Sequence, residues 1–210
     1  MPRTQRLTIK RTVEPSTNPV DLASMKAHLR IDLGDEDSLI TSYIGAATRA
    51  CEEATRRQFM PATWRMTLDE FPVGDLNSEV SPGIEGWDII LPRSPIVSVS
   101  SISYKDTNGA TQTLSNTIYK VLADDEPGRI VLAYGKEWPD SYDEPGAVVV
   151  TYAAGYADAA SVPEPIKQAI RFLVGHFYEN REAVNVGNIV TAMPMAVESL
   201  LGPFILQEQW

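Results

Sequence analysis

The sequence is poor in the residues that most metal and nucleophile chemistry needs. Its 210 residues include one cysteine, Cys51, and two histidines, His28 and His176. A single cysteine excludes an intramolecular disulfide framework and a cysteine-rich zinc site. Two histidines leave little for a histidine-based metal centre. Long apolar runs are also missing. The most apolar stretch, Val186 to Leu206, is broken by Pro194, Glu198, Gly202 and Pro203, whereas a membrane-spanning helix needs roughly 20 predominantly apolar residues. No apolar segment follows the basic N-terminus, so no secretory signal is read and a soluble, cytosolic chain is expected. Positive charge is scarce as well. The net charge is −10, and no lysine or arginine lies between Arg65 and Arg93, where Asp69, Glu70, Asp75, Glu79, Glu85 and Asp88 all fall. Residues 1–20 run the other way, with Arg3, Arg6, Lys10 and Arg11 against Glu14. An acidic body has no electrostatic reason to hold nucleic acid or an anionic membrane tightly.

What is present describes an ordinary globular chain. Apolar residues make up 43% and charged residues 22%, which excludes wholesale disorder, and the length suffices for a real core without metal or disulfide. Residues 1–20, punctuated by Pro2, Pro15 and Pro19, read as an extended basic arm. Asp21 is a good N-cap for a helix to about Asp32, with Leu22, Met25 and Leu29 on one face. Asp35 or Asp37 then caps a longer helix to about Arg57. Its stripe is Leu39, Ile40, Tyr43, Ile44, Ala47, Ala50, Cys51 and Ala54. Arg49, Glu52, Glu53, Arg56 and Arg57 are expected on its solvated side, with i,i+4 pairs from Glu52 to Arg56 and Glu53 to Arg57. Alternating segments follow at 64–71, 88–91, 96–104, 118–122, 129–134 and 147–152. An Asn108-Gly109 hairpin signal lies among them, and together they indicate a small antiparallel sandwich or barrel. A strong apolar stripe, Ile166, Ala169, Ile170, Leu173, Val174 and Phe177, then predicts a helix from Pro163 to about Arg181, and a short helix is expected over Pro194 to Leu201.

The fold class expected from this order is α+β: a small helical bundle with an inserted antiparallel β-module and extended arms at both ends. The expected segments are 1–20 for the basic arm, 21–60 and 160–182 for the bundle, 61–159 for the β-module and 183–210 for a C-terminal tail.

No convincing catalytic constellation appears. Gly128 to Gly135-Lys136 has six residues between its glycines and Glu137 where a phosphate loop needs Ser or Thr. There is no Gly-x-Ser-x-Gly elbow. His28 and Asp32 at i,i+4 lack a nearby nucleophile and read as a helix-surface pair. His176, beside Phe177, reads as a packed or interface histidine, and Cys51, on an apolar face, as a buried thiol. The carboxylates over 69–88 lack the ligand spacing of a calcium loop and read as a solvated acidic loop. The rival reading makes them an acidic hydrolase site, for instance for sugars. No catalytic, cofactor or metal site is expected. The C-terminal segment is a candidate docking element. Ile189, Val190, Met193, Met195, Val197, Leu200, Leu201, Phe204, Ile205, Leu206 and Trp210 are hard to leave in water, so they either fold back on the bundle or enter a partner.

Several runs resemble the tailed-phage head–tail connector, or adaptor, family, which also occurs in prophages and gene transfer agents. They are Pro19-Val20-Asp21-Leu22-Ala23-Ser24-Met25-Lys26-Ala27-His28-Leu29-Arg30-Ile31-Asp32, the acidic turn Asp35-Glu36-Asp37-Ser38-Leu39-Ile40, and Ala50-Cys51-Glu52-Glu53-Ala54-Thr55-Arg56-Arg57-Gln58. Leu91-Pro92-Arg93-Ser94-Pro95-Ile96, Val150-Thr151-Tyr152-Ala153-Ala154-Gly155-Tyr156 and Val162-Pro163-Glu164-Pro165-Ile166-Lys167-Gln168-Ala169-Ile170 follow in order. The resemblance spans about residues 19–182 and is closest to the branch with a long β-module. It implies a non-enzymatic virion protein at the head–tail interface, assembled in the host cytoplasm. Such a protein forms a homo-oligomeric ring, commonly of twelve copies, below the portal protein. It extends the DNA channel without binding DNA specifically and presents a surface to a tail-side stopper or tail terminator. The resemblance further implies a C-terminal segment that reaches into the portal. The portal-docking expectation therefore falls on Ile189, Val190, Met193, Met195, Leu200, Leu201, Phe204, Ile205, Leu206 and Trp210, with arm contacts from Arg3, Arg6, Lys10 and Arg11. Another virion piece, such as a tail completion protein or a carbohydrate-binding module, is the alternative within the same setting.

Overall fold

The structure is a computed structural model that describes residues 7–72, 86–180 and 195–206. It is mixed α+β and divides into two units, one of sheets and one of helices.

Of the described residues, the helical unit takes in 15–60, 156–180 and 195–206. Helix α1 spans Leu22–Leu29, and Asp21 caps it by accepting a 2.7 Å hydrogen bond from the Ser24 amide. It stops at Leu29, short of the expected end near Asp32, because Arg30 takes the left-handed conformation and its amide turns back to the last carbonyls. Helix α2, Asp37–Thr55, ends the same way at Arg56. Helix α3 spans Glu164–Glu179 and starts, as its prolines dictate, just past Pro163. Helix α4, Met195–Leu201, leads into a 3-10 turn at Gly202–Phe204. Met25, Ile40, Ile44, Ala47, Cys51, Phe59, Ile166, Ile170, Val174, Val197 and Leu201 share one core. The inward residues of α2 and α3 recur at three- and four-residue spacing, which is why these two helices pack on each other.

The sheet unit holds residues 61–155 of the described chain together with the N-terminal strand. The strands are β1 Leu7–Val13, β2 Ala62–Leu68, β3 Ile89–Leu91, β4 Ile96–Lys105, β5 Thr111–Thr113, β6 Tyr119–Leu122, β7 Gly128–Leu132 and β8 Val148–Ala154. Five form one antiparallel sheet in the order β1-β2-β8-β4-β5, and three form another in the order β3-β7-β6. Strands β2 and β8 alternate buried and half-buried residues along almost their whole length. Trp64, Met66 and Leu68 thus join Val148, Val150 and Tyr152 in the core, together with Ile89, Leu91 and Ile130 from the smaller sheet. One glycine is required by packing: a Cβ on Gly128 would lie 2.4 Å from Ile96 Cγ1. Another is required by its backbone: Gly109, at φ +81°, turns the β4–β5 hairpin, where Asp106 Oδ1 accepts from the amides of Asn108 and Ala110.

Two expectations are corrected here. Residues 7–13 are not a free arm. Leu7-Thr8-Ile9-Lys10-Arg11-Thr12-Val13 alternates, with Leu7, Ile9 and Arg11 more covered than Thr8, Lys10 and Thr12, and it pairs antiparallel with β2 from Leu7↔Leu68 to Val13↔Thr63. Glu52 is not on a solvated face either; it is only 3% exposed. With α2 ending at Thr55, Arg56 and Arg57 lie beyond the helix, so the expected i,i+4 pairs do not continue a helical face.

Candidate functional site

The best candidate from the sequence is the C-terminal segment, and its described part is bound to its own helical unit. Val197 and Leu201 are fully buried beside α3. Leu206 is 8% exposed, and its amide donates to the Thr55 carbonyl at 3.0 Å. That carbonyl ends α2 and has no partner within the helix. Arg57, itself 5% exposed, donates from Nε to the Phe204 carbonyl at 2.6 Å, and Arg56 reaches the Leu206 carbonyl at 3.4 Å. The segment therefore closes the C-terminal end of α2.

A buried polar cluster fixes the chain on the other side of this junction. Glu52 Oε1 accepts from Gln58 Nε2 at 2.6 Å and from the Phe59 amide at 3.0 Å. Gln58 Nε2 also donates to the Met60 carbonyl. These bonds replace the water that a buried carboxylate and amide lose. The Cys51 thiol, enclosed next to them, has its pKa pushed up to about 12, mainly by burial and secondly by the Glu52 charge. That makes it a packing residue rather than a nucleophile.

The portal-docking residues of the sequence thus fall into four groups. Leu201 and Leu206 are spent on the chain's own core. Leu200 and Phe204 are half-buried against it, and Met195 and Ile205 are exposed. Ile189, Val190, Met193 and Trp210 lie outside the described residues. Among the arm contacts, Arg3 and Arg6 also lie outside them. Arg11 turns inward, its guanidinium 5.3 Å from the Trp64 ring centre and 3.2 Å from Glu14. Lys10 is exposed. Sequence reasoning missed Arg56, Arg57 and Thr55 as the groups that hold the tail. Nothing in their spacing signals it, because their partners are backbone atoms about 150 positions away.

In the acidic stretch, Asp69 and Asp88 are each engaged in a bond to another part of the sheet unit. Asp69 accepts from the Gly146 amide at 2.9 Å, and Asp88 pairs with Arg129 at 2.9 Å. Arg129 also holds Asp125, the main cause of its raised pKa. Asp75, Glu79 and Glu85 lie outside the described residues. Nearby, Phe71 stacks on Trp138 with centres 5.1 Å apart, in the wall of a cleft of about 480 Å³ that Trp87 and Glu137 also line. His28 packs near the ring of Phe172. Among the described residues, no three His, Cys, Asp or Glu side chains gather as a metal would need, and no helix is long and apolar enough to cross a membrane.

A helical unit and an antiparallel sheet unit define the class of fold: mixed α+β. Over residues 19–121 the chain matches the model of the family of phage gp6-like head–tail connector proteins. No curated relative matches its sequence. Among solved structures it is similar to a chain in the neck of an empty gene transfer agent particle computed with C6 symmetry. The TM-score is 0.74 at 23% identity, covering 96% of both chains. A chain in the virion of the native gene transfer agent particle gives 0.74 at 23% identity, over 95% of this chain and 96% of that one. A chain in the native neck computed with C12 symmetry gives 0.69 at 20%, over 96% of both. The fold is that of these neck chains.

Proposed function

We propose that this protein is the adaptor of a tailed particle's neck: a ring of identical copies, twelve by preference, seated below the portal, which lengthens the DNA channel and meets a tail-side stopper or terminator. The observation that carries the reading is the match over 96% of both chains to a neck chain, joined to the connector family over residues 19–121. The C6 and C12 symmetries of the related necks support a ring. The charge supports the channel role. A chain of net charge −10, repeated around a lumen, repels phosphate rather than capturing it, so DNA slides without being held. In this reading the protein acts in the virion after assembly in the host cytoplasm, and its chemistry is that of contact, not catalysis.

For portal docking, the described surface favours Met195 and Ile205, exposed at 84% and 49%, over the buried Leu201 and Leu206. The test mixes the full-length protein with the portal ring of the same particle and images the product by electron microscopy. A ring of extra density with the portal's rotational symmetry is expected. Portals that stay bare at micromolar protein would overturn the proposal. A Met195→Asp, Ile205→Asp double variant should lower occupancy while keeping its helical circular dichroism. Unchanged occupancy would move the anchor to the undescribed tail residues.

A further inference from the structure

Among the described residues the larger sheet has two open edges, and they match each other. At one end lies β1, seven residues long, paired on its inner side with β2; among the described residues no strand lies on its outer side. At the other end, β5 covers only Ser103–Lys105 of β4. The first part of β4, Ile96–Ser101, pairs with β8 on its inner side and has no described strand outside it. Val97 there is 56% exposed, and Ser98 and Ser100 are exposed too. An open strand edge presents unpaired amides and carbonyls, a template for another strand, unless charge, proline or cover blocks it. The Ile-Val-Ser-Val-Ser-Ser run of β4 has neither charge nor proline.

We infer that these edges pair between neighbouring copies, the outer edge of β1 in one copy adding antiparallel to Ile96–Ser101 of β4 in the next, so that the sheet runs on from subunit to subunit. This rests on the ring reading proposed above and specifies its contact. Three observations select this pairing. The first is direction. Pairing alternates antiparallel through β1, β2, β8 and β4, so β1 and β4 run oppositely. A neighbour related by a modest rotation then presents its β1 antiparallel to β4, continuing the sheet's own mode. Joining β1 to β5 instead would make a parallel junction, against a three-residue strand. The second is length: seven residues of β1 face six open residues of β4. The third is charge. With Arg11 turned inward over Trp64, Lys10 is the one charged side chain on the outward positions of β1, and it meets an uncharged run, so like charges are not opposed. The β4 strand carries register shifts between Ile96 and Ser98 and between Val99 and Ser101. Such bulges bend a strand, as a sheet carried around a ring must bend. The contact is heterologous, β1 to β4, which is the kind that closes into a ring.

The experiment is cysteine cross-linking of the full-length protein on the portal ring of the same particle. Cys51 is fully buried, so the introduced thiols dominate the reaction. Thr8→Cys, Lys10→Cys and Thr12→Cys are each combined with Ser98→Cys to sample register, then treated with a short bis-maleimide. At least one double variant should give a ladder of covalent multimers well beyond the dimer. The matching single variants, mixed in equal amounts, should stop at the dimer. A ring that assembles normally yet gives no ladder with any pair overturns the edge pairing and leaves the ring reading standing. A dimer from Lys10→Cys alone overturns it in favour of a two-fold β1–β1 contact. Failure to form any ring, with circular dichroism unchanged, overturns the ring reading and the pairing with it. As a second readout, Val97→Lys with Ser98→Lys should lower ring occupancy at least tenfold without changing the folded spectrum. Full occupancy would also overturn the pairing.

Discussion

The two ends of the chain look alike in the sequence and are held by different physics in the structure. Both read as arms in search of a partner. The N-terminal strand is held chiefly by backbone pairing with β2, while Leu7 and Ile9 are only partly covered. The C-terminal segment is held chiefly by side-chain burial, with Val197 and Leu201 fully enclosed and Leu206 capping the last carbonyl of α2. Backbone pairing satisfies one edge and leaves the other open, whereas burial uses up the side chains it engages. The first end thus keeps an outer backbone edge beyond β1, whereas in the second Val197, Leu201 and Leu206 are already engaged by the chain's own helices.

The sharpest way to break this comparison is to remove each end in turn. Ending the chain after residue 194 takes away Val197 and Leu201, each worth about 1.5–3 kcal/mol when fully buried, and uncaps the Thr55 carbonyl. The helical unit should lose at least ~4 kcal/mol. In calorimetry its transition should fall well below that of the sheet unit, or the protein should aggregate. A truncated protein as stable as the intact one would show that the segment is an independent arm after all. Deleting residues 1–13 should cost less, about 1–3 kcal/mol, because the apolar side chains lost are only half-covered, and the loss should be confined to the sheet unit. Hydrogen exchange separates the two outcomes: amides of β2 should lose protection while those of α2 and α3 keep theirs.

A third change sharpens the comparison at the C-terminal junction. Glu52→Ala leaves the Gln58 side chain and the Phe59 amide short of their buried acceptor, at a cost of about 1–3 kcal/mol. The tail bonds from Arg57 and Leu206 lie within a few residues of it. The variant should therefore also raise the protease sensitivity of the 195–206 segment. Loss of stability without tail exposure would separate the polar cluster from the hold on the tail.

How much of this was legible follows from what each element is made of. Helix α3 could be read because its buried set, Ile166, Ala169, Ile170, Leu173 and Val174, keeps helical spacing and its start is marked by Pro163. The two-residue alternation of Trp64, Met66 and Leu68 made β2 equally plain. Strand β1 carries the same alternation, but its basic residues and the prolines around it fit an extended arm as well as a paired strand. Strand β5, Thr-Gln-Thr, is exposed throughout and has no apolar pattern to read; only the hairpin signal beside it was visible. Glu52 reads as solvated because a charged side chain is rarely buried without a partner, and its partners, Gln58 and the Phe59 amide, become partners only after the helix ends. At the candidate site, apolar character was legible but its destination was not. Met195 and Leu201 are both strongly apolar, yet one is 84% exposed and the other 1%. That difference is set by which face of a seven-residue helix meets α3.

The smallest expected effect lies at the start of α3 and concerns pH. Glu164 sits in the first turn of the helix, where an acidic group suits the dipole. Arg171 donates to it at 2.6 Å, and Lys167 lies 3.0 Å away. The Arg171 hydrogen bond first and the Lys167 bond second hold its carboxyl below the usual range. A carboxyl whose folded pKa is depressed adds stability that is fully present above its unfolded pKa. The contribution is lost as the pH falls through the lower, folded value. Because the group is exposed and screened, the loss on acidification should be no more than ~0.5 kcal/mol. Arg171→Ala should return the Glu164 titration, followed by carboxyl NMR, most of the way to that of a free glutamate. It should also reduce the salt sensitivity of α3 stability, because screening has one ion pair fewer to weaken. A titration unmoved by the substitution would assign the depression to Lys167 and the helix end instead. The helical unit would then keep that small acid-sensitive contribution without the arginine.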